Sequence, residues 1–302
     1  MLTKTKRRKT MDNAKAAISN RYDFMFLYDV KNGNPGGDPD AGNAPRQDAD
    51  TGFGYVTDVC LKSKIRNYVS IVKDGEKGFD ILIRPDKALN TRFREAYEAQ
   101  GLPIDKTKKG ADFQREIAGR DYMCRNYYDV RMFGAVMTTG NNSCGTVRGP
   151  VQIEFATSIS PIFPEEVTIT RQARTSEEKR QTGDTEMGVK HIIPYGLYRA
   201  EGHISAALAQ KSPLVTEEDV ELLWEAINGM FDLDHSASRG KVCVRGLYIF
   251  KHDSIIGNAR SCDLFDKIRV EQKEDVTYPR AFSDYKVTID RDMPKGVTLI
   301  EK

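Results

Sequence analysis

Tyr22-Asp-Phe-Met-Phe-Leu-Tyr-Asp-Val30 is the stretch on which the fold turns. Alternation puts Phe24, Phe26, Tyr28 and Val30 on one face and Met25 and Leu27 on the other, so both faces are apolar. A strand of that kind belongs inside a sheet covered on both sides. The next segment, Asn32-Gly-Asn-Pro-Gly-Gly-Asp-Pro-Asp-Ala-Gly-Asn43, consists of turn formers and opens a loop that runs to Asp50. Thr57-Asp58 then starts a helix, with Leu61, Ile65, Tyr68, Val69 and Val72 sharing one face at helical spacing.

Further along the chain the pattern extends. Val151, Ile153, Phe155, Thr157 and Ile159 alternate as a second strand, Tyr195–Ser205 reads as a third and Val242–Lys251 as a fourth. Between the last two, Thr216-Glu-Glu-Asp219 resembles a capping box with Asp in place of Glu or Gln. Val220, Leu223, Trp224, Ile227 and Phe231 follow it as a second amphipathic helix. The order strand, helix, strand, strand, helix, strand is the split βαβ plan of ferredoxin-like and RNA-recognition (RRM-like) folds, an α+β class (βαββαβ). Two insertions interrupt it. Residues 73–150, with short helices near Asn90–Gln100 and Asp112–Tyr128, are too long for a loop and read as a subdomain. Residues 160–193 carry Arg171, Arg174, Lys179, Arg180 and Lys190 without an apolar stripe and read as a projecting hairpin. Residues 1–19 are a basic tail, and the chain beyond 252 is less regular, with a last strand near Tyr285–Ile289.

Composition narrows the function. No apolar run approaches the roughly 18 residues of a membrane span, and no hydrophobic stretch follows the basic Met1–Lys9 to make a secretory signal. A soluble, cytoplasmic protein is expected. Five cysteines without a Cys-x-x-Cys pair, and four histidines without metal spacing, give neither a disulfide framework nor a metal site. No cofactor is expected. The 46 basic and 44 acidic residues nearly cancel, so any binding of nucleic acid must come from local patches.

The glycine loop is the first such place. Asn34, Gly36 and Gly37 sit where successive backbone N–H groups can approach a phosphate. No Gly-Lys-Ser/Thr ends the loop, so it is not a Walker loop. Asp38 and Asp40 could hold a divalent ion through oxygen, although the EF-hand pattern fails. Spacing alone leaves a turn-rich loop, a phosphate cradle and, after them, a metal site open. Lys62 and Arg66 lie just downstream, one turn apart on a face that a surface helix commonly gives to solvent, with Lys64 flanking. In the split βαβ plan the first and last strands are neighbours, so Arg239, Lys241 and Arg245 are expected to share a rim with the loop and that cluster. Such a rim would form a track for a phosphate backbone. No Gly-x-Ser-x-Gly or His-Glu-x-x-His motif points to catalysis.

These segments resemble a known family. Asn20–Phe24, Tyr28–Asn43, Val56–Asn67, Tyr127–Thr139, Arg148–Gln152, Ile169–Arg171, Lys190–Tyr198, Phe250–His252 and Phe282–Tyr285 are similar to the backbone subunit of the type I-C CRISPR Cascade complex. The resemblance spans residues 20 to 290. It departs at Gly36, where the family usually has Asn, and Phe133-Gly-Ala-Val-Met-Thr-Thr139 favours type I-C over the related type I-B subunit. What it implies is a hand-shaped RAMP protein. The palm would comprise residues 20–72, 151–159 and 194–252, with fingers at 73–150, a thumb at 160–193 and an extension at 253–302. Copies would polymerise along a crRNA, each thumb kinking it, and leave bases free to pair with target-strand DNA. Partners would be neighbouring copies, the repeat-processing subunit, the large PAM-reading subunit and the small subunit. The resemblance implies no catalytic role. Type III relatives cut RNA with an Asp of the corresponding loop, which makes a ribonuclease using Asp38 and Asp40 the rival, with a generic single-stranded RNA-binding protein third. The expected RNA contacts are Asn34, Gly36, Gly37, Lys62, Lys64, Arg66, Arg148, Arg171, Arg174, Lys190, His191, Arg239, Lys241 and Arg245.

Overall fold

The computed structural model describes residues 16–104, 113–171, 173, 176–177, 186–210 and 215–302. In chain order, β1 (Tyr22–Gly33) leads through the short β2 (Gly37–Asp38), β3 (Ala44–Pro45) and β4 (Phe53–Val56) to α1 (Asp58–Val72). Next come α2 (Leu89–Glu98), α3 (Phe113–Asn126), α4 (Tyr128–Phe133), β5 (Gly134–Met137) and β6 (Gly145–Arg148). The chain returns through β7 (Val151–Ile153) and β8 (Ala156–Pro161), then β9 (Glu165–Arg171) and the long β10 (Glu186–Ile204). After α5 (Ala206–Ala209), α6 (Glu217–Gly229) and β11 (Lys241–His252) it closes with α7 (Ser261–Phe265), β12 (Ile268–Gln272), β13 (Tyr285–Ile289) and β14 (Val297–Glu301).

The central sheet is antiparallel, in the order β14-β11-β1-β10-β8-β4. Its four inner members, β11, β1, β10 and β8, carry the 4-1-3-2 order of the split βαβ plan. β1 is buried along both faces, and this is why its sequence runs apolar without a break. Phe24, Phe26, Tyr28 and Val30 enter one core together with Leu61, Ile65 and Val69 of α1 and Leu223, Trp224 and Ile227 of α6. Trp224 meets the Phe24 ring edge-on at 5.0 Å. Met25 and Leu27 enter a second core on the opposite face, with Leu264, Phe265, Ile268 and Tyr285. Full burial of such side chains contributes about 1.5–3 kcal/mol each, so β1 is the element the two layers share.

The helices begin where the sequence says they should. Thr57 caps α1 by accepting from the Cys60 N–H, and Thr216 and Asp219 form a reciprocal capping box on α6. Asp219 also takes the Arg131 guanidinium at 2.6 Å, and its carbonyl accepts from the Tyr128 hydroxyl. The segment Tyr127–Phe133 is thereby fastened to the main helix layer. A small separate core, with Phe93, Tyr97, Met123 and Val147 among its members, holds α2, α3 and the β5–β6 ribbon together.

Two expectations are corrected. The strand expected over Val151–Ile159 is two strands out of phase: Val151 and Ile153 face inward, then Ala156 and Ser158 do. The pairing with β10 shifts by one residue between Ile153 and Thr157, as at a β-bulge, and Phe155 turns outward with 54% exposed. The segment beyond 252 is also more regular than its sequence suggested. Its β12–β13 ribbon and α7 roof the second face of the sheet, and β14 pairs along β11. No described helix is long and apolar enough to cross a membrane.

Candidate nucleic-acid interface

β1 leaves the sheet at Gly33 and meets the loop that precedes β11. A Cβ on Gly33 would lie 1.8 Å from the Arg239 carbonyl oxygen, and one on Gly240 would strike the Asn32 carbonyl. The Asn34 N–H donates to the Ser238 carbonyl at 2.8 Å. The two loops are therefore locked backbone to backbone, a contact that only residues without side chains permit. The side chain of Asn34 is buried and works inside its own loop. Its Nδ2 donates to the Asn43 carbonyl at 2.7 Å and its Oδ1 accepts from the Gly36 N–H at 3.1 Å. Gly37 is held against Asn43 so closely that a Cβ would overlap the Asn43 amide.

The base of the β9–β10 hairpin rests on both loops. Lys190 Nζ donates to the Ala237 carbonyl at 3.0 Å, and the His191 ring lies beside Gly42. Glycine loop, 233–240 loop and hairpin base thus form one rim, as the strand order requires. Asp38 serves the loop itself: one oxygen accepts from the Asp40 N–H and the other pairs with Arg46 at 3.1 Å. Among the described residues, no three His, Cys, Asp or Glu side chains come together in a way that could hold a metal ion.

The helix cluster does not join the rim as a basic face. Lys64 points inward, 4% exposed, and pairs with Asp234 at 2.8 Å. Arg66 pairs at 2.9 Å with the buried Asp129, which also accepts the Leu82 and Ile83 N–H groups. Lys62 pairs with Asp58 one turn away, and both Lys62 and Arg66 lie over the Phe133 ring. Spacing correctly placed Lys62 and Arg66 on one face. It could not show that carboxylates distant in sequence would claim Arg66 and Lys64. Arg239 also pairs with Asp234, so this carboxylate ties the loop before β11 to α1. Arg148 lies exposed on β6, in register with Gly134 of β5. Arg171 ends β9 opposite Glu186. Arg174, Lys179 and Arg180 lie outside the described residues.

Arg245 and Lys241 stand on the second face of the sheet, where the sequence reading had missed their neighbours. Lys31 is the cross-strand partner of Lys241. Arg245 pairs at 2.8 Å with the buried Asp29, which also accepts the Tyr195 hydroxyl at 3.0 Å. Burial, and then that carboxylate, raise the Tyr195 pKa far above the usual phenol value, so its proton stays on the shared hydrogen bond. With Arg280 and Phe282 these residues line a pocket of about 130 Å³. The signal for Asp29 and Lys31 lay in β1 itself, where the Met25–Leu27 face turns from apolar to charged.

A family model described as CRISPR-associated protein Cas7 matches residues 20–290. The chain belongs to the Cas7 family. A curated Cas7 protein of Haloferax volcanii is 26% identical over 249 residues, covering 74% of this chain and 67% of its own length. Among solved structures, a chain of a pre-nicking CRISPR RNA-guided surveillance complex matches this Cas7 chain with a TM-score of 0.49 at 15% identity. The match covers 76% of this chain and 75% of the other. A chain of a second CRISPR RNA-guided surveillance complex matches with a TM-score of 0.42 at 11% identity, covering 76% and 68%.

Proposed function

We propose that this Cas7 chain is the crRNA-holding backbone subunit of a type I-C Cascade complex, polymerising along the guide and presenting its bases to target-strand DNA. Membership of the Cas7 family over residues 20–290 carries the reading. The rim supplies a physical means. Backbone groups of the glycine loop, Lys190 and His191 at the hairpin base, and Lys241 and Arg245 beside them offer donors and charge to phosphates without reading sequence. A subunit that must accept any spacer requires that indifference, because base pairing carries the specificity. A net charge of +2 lets many copies align without strong mutual repulsion. The subtype rests on the resemblance of Phe133–Thr139.

In this reading residues 20–72, 151–159 and 194–252 are the palm, 73–150 the fingers and 160–193 the thumb. The fingers and palm meet the next copy, and the repeat-processing, large and small subunits complete the assembly. The subunit has no catalytic role, and Asp38, engaged by Arg46 and the Asp40 N–H, shapes the loop. The test is co-expression with the partner subunits and a CRISPR array, followed by sequencing of the co-purified RNA. A protected RNA of uniform length carrying a spacer is expected. Random fragments would favour a generic RNA-binding protein. RNA cleavage that needs Mg²⁺ and is lost in Asp38→Ala would establish the ribonuclease instead.

A further inference from the structure

We propose that the cavity between the end of the central sheet and the Pro279–Phe282 segment binds one phosphate group of the guide RNA, carrying the phosphate track off the rim and onto the C-terminal segment. The proposal rests on the guide-binding reading above and goes beyond it by assigning Lys31 and Arg280.

Charge is the first argument. The cavity, of about 130 Å³, draws Lys31 from β1, Lys241 and Arg245 from β11, and Arg280 from the connection between β12 and β13. One carboxylate, Asp29, faces these four cations, and it is committed to Arg245 and to the Tyr195 hydroxyl. The side chains of Lys31, Lys241 and Arg280 have no carboxylate partner among the described residues: the Arg280 guanidinium donates to the Pro279 carbonyl, and the nearby Asp284 carboxylate is occupied by the backbone N–H groups of Arg280 and Ala281. Other cations of the fold, Lys64, Arg66 and Arg131 among them, are each paired with a carboxylate. Three unpaired cations around one small cavity repel each other, and an anion between them removes that cost.

Geometry supplies the second argument. Lys31 and Lys241 face each other in register across β1 and β11. Each is one residue from the locked loop contact, Lys31 beside Asn32 and Lys241 beside Gly240. A backbone phosphate held here is therefore continuous with a strand crossing the rim. The Phe282 ring lies 5.6 Å from the Arg245 guanidinium and, with Asp29, fixes its orientation. The site is built by elements distant in sequence, and that is why no local motif announces it.

The test is equilibrium binding of the full chain to a labelled single-stranded RNA across a KCl series. Each phosphate neutralised on a single strand contributes about 0.7 to the slope of log affinity against log salt. Lys31→Ala combined with Arg280→Ala is expected to flatten the slope by about 0.7, and Lys31→Arg with Arg280→Lys to restore it. Lys273→Ala with Lys295→Ala, exposed cations outside the cavity, should leave it unchanged. Lys31 and Arg280 are exposed, and unchanged unfolding midpoints will show that their variants fold. If wild type binds RNA and the cavity variant keeps its full slope, the cavity proposal fails while the guide-binding reading stands. If wild type binds no RNA at any salt, both fall. If inorganic phosphate, against chloride at equal ionic strength, protects wild type but not the variant from thermal unfolding while the RNA slope stays put, the cavity takes free phosphate and the guide assignment is overturned.

Discussion

Two groups of cations flank the glycine loop, and the fold treats them in opposite ways. On α1, Lys62, Lys64 and Arg66 are each claimed by a carboxylate, two of those carboxylates coming from distant parts of the chain. At the ends of β1 and β11, Lys31 and Lys241 stand without one among the described residues. The first group fastens α1 to the segments around Asp129 and Asp234. The second leaves its charge available. Basic character alone therefore does not mark a phosphate contact: a cation that a carboxylate already holds has less charge to offer a ligand than one the protein has left unpaired.

The sharpest way to break this comparison is Arg66→Ala. It leaves the Asp129 carboxylate buried without its counter-charge, and breaking such a pair costs about 3–5 kcal/mol. Chemical denaturation should show a loss of that order, with RNA affinity of the folded fraction preserved. Full stability with a flattened salt slope would return α1 to the phosphate track. Gly33→Ala comes next. Its Cβ must push the Arg239 carbonyl away, at about 1–3 kcal/mol for overpacking, and RNA binding should weaken as the rim opens. Lys241→Ala should do the reverse of Arg66→Ala, shifting stability by no more than about 0.5 kcal/mol while reducing the salt slope by about 0.7.

The smallest effect is expected at the far end of β1, where Arg21, His203 and His252 surround Asp23. Burial would raise the Asp23 pKa, but hydrogen bonds from His203 and His252 and the Arg21 guanidinium outweigh it and hold the carboxyl well below its usual range. The same hydrogen bond raises the His203 pKa against the opposing effect of burial. The His203 contribution is complete below the unfolded histidine value of about 6.5 and is lost as pH rises through the raised folded value. Asp23 contributes above the unfolded carboxyl value of about 3.9, and that is lost only as pH falls through its depressed folded value. Thermal midpoints should therefore fall slightly as pH is raised above neutrality, and His203→Gln should flatten that dependence. An equal fall in both proteins would show that His203 is not the group responsible.

How much of this was legible in the sequence depends on the range of the forces involved. β1, α1, α6 and β11 were readable because period-2 or period-3.6 burial and local caps are written within a dozen residues. The slip between β7 and β8 was not. Phe155 continues the apolar alternation of Val151 and Ile153, and only pairing with β10 shows that the phase changes. β14 was missed because its five residues gain their meaning from lying along β11. At the interface, the convergence of the two loops followed from strand order. Which cations remain free did not, because Asp129 and Asp234 lie far along the chain from the side chains they neutralise.

The pairing of β1 also has a consequence in time. Tyr22 pairs with Ile204 on one side and Lys251 on the other. At about 5–20 residues per second of synthesis, this apolar strand waits roughly ten to fifty seconds for its neighbours. Contacts of such sequence separation also form slowly. The Gly33–Arg239 contact can close only once the chain has been made as far as Arg239, just ahead of the second neighbour. A nascent chain therefore closes the rim proposed to hold the guide only about 200 residues after Gly33 has been made.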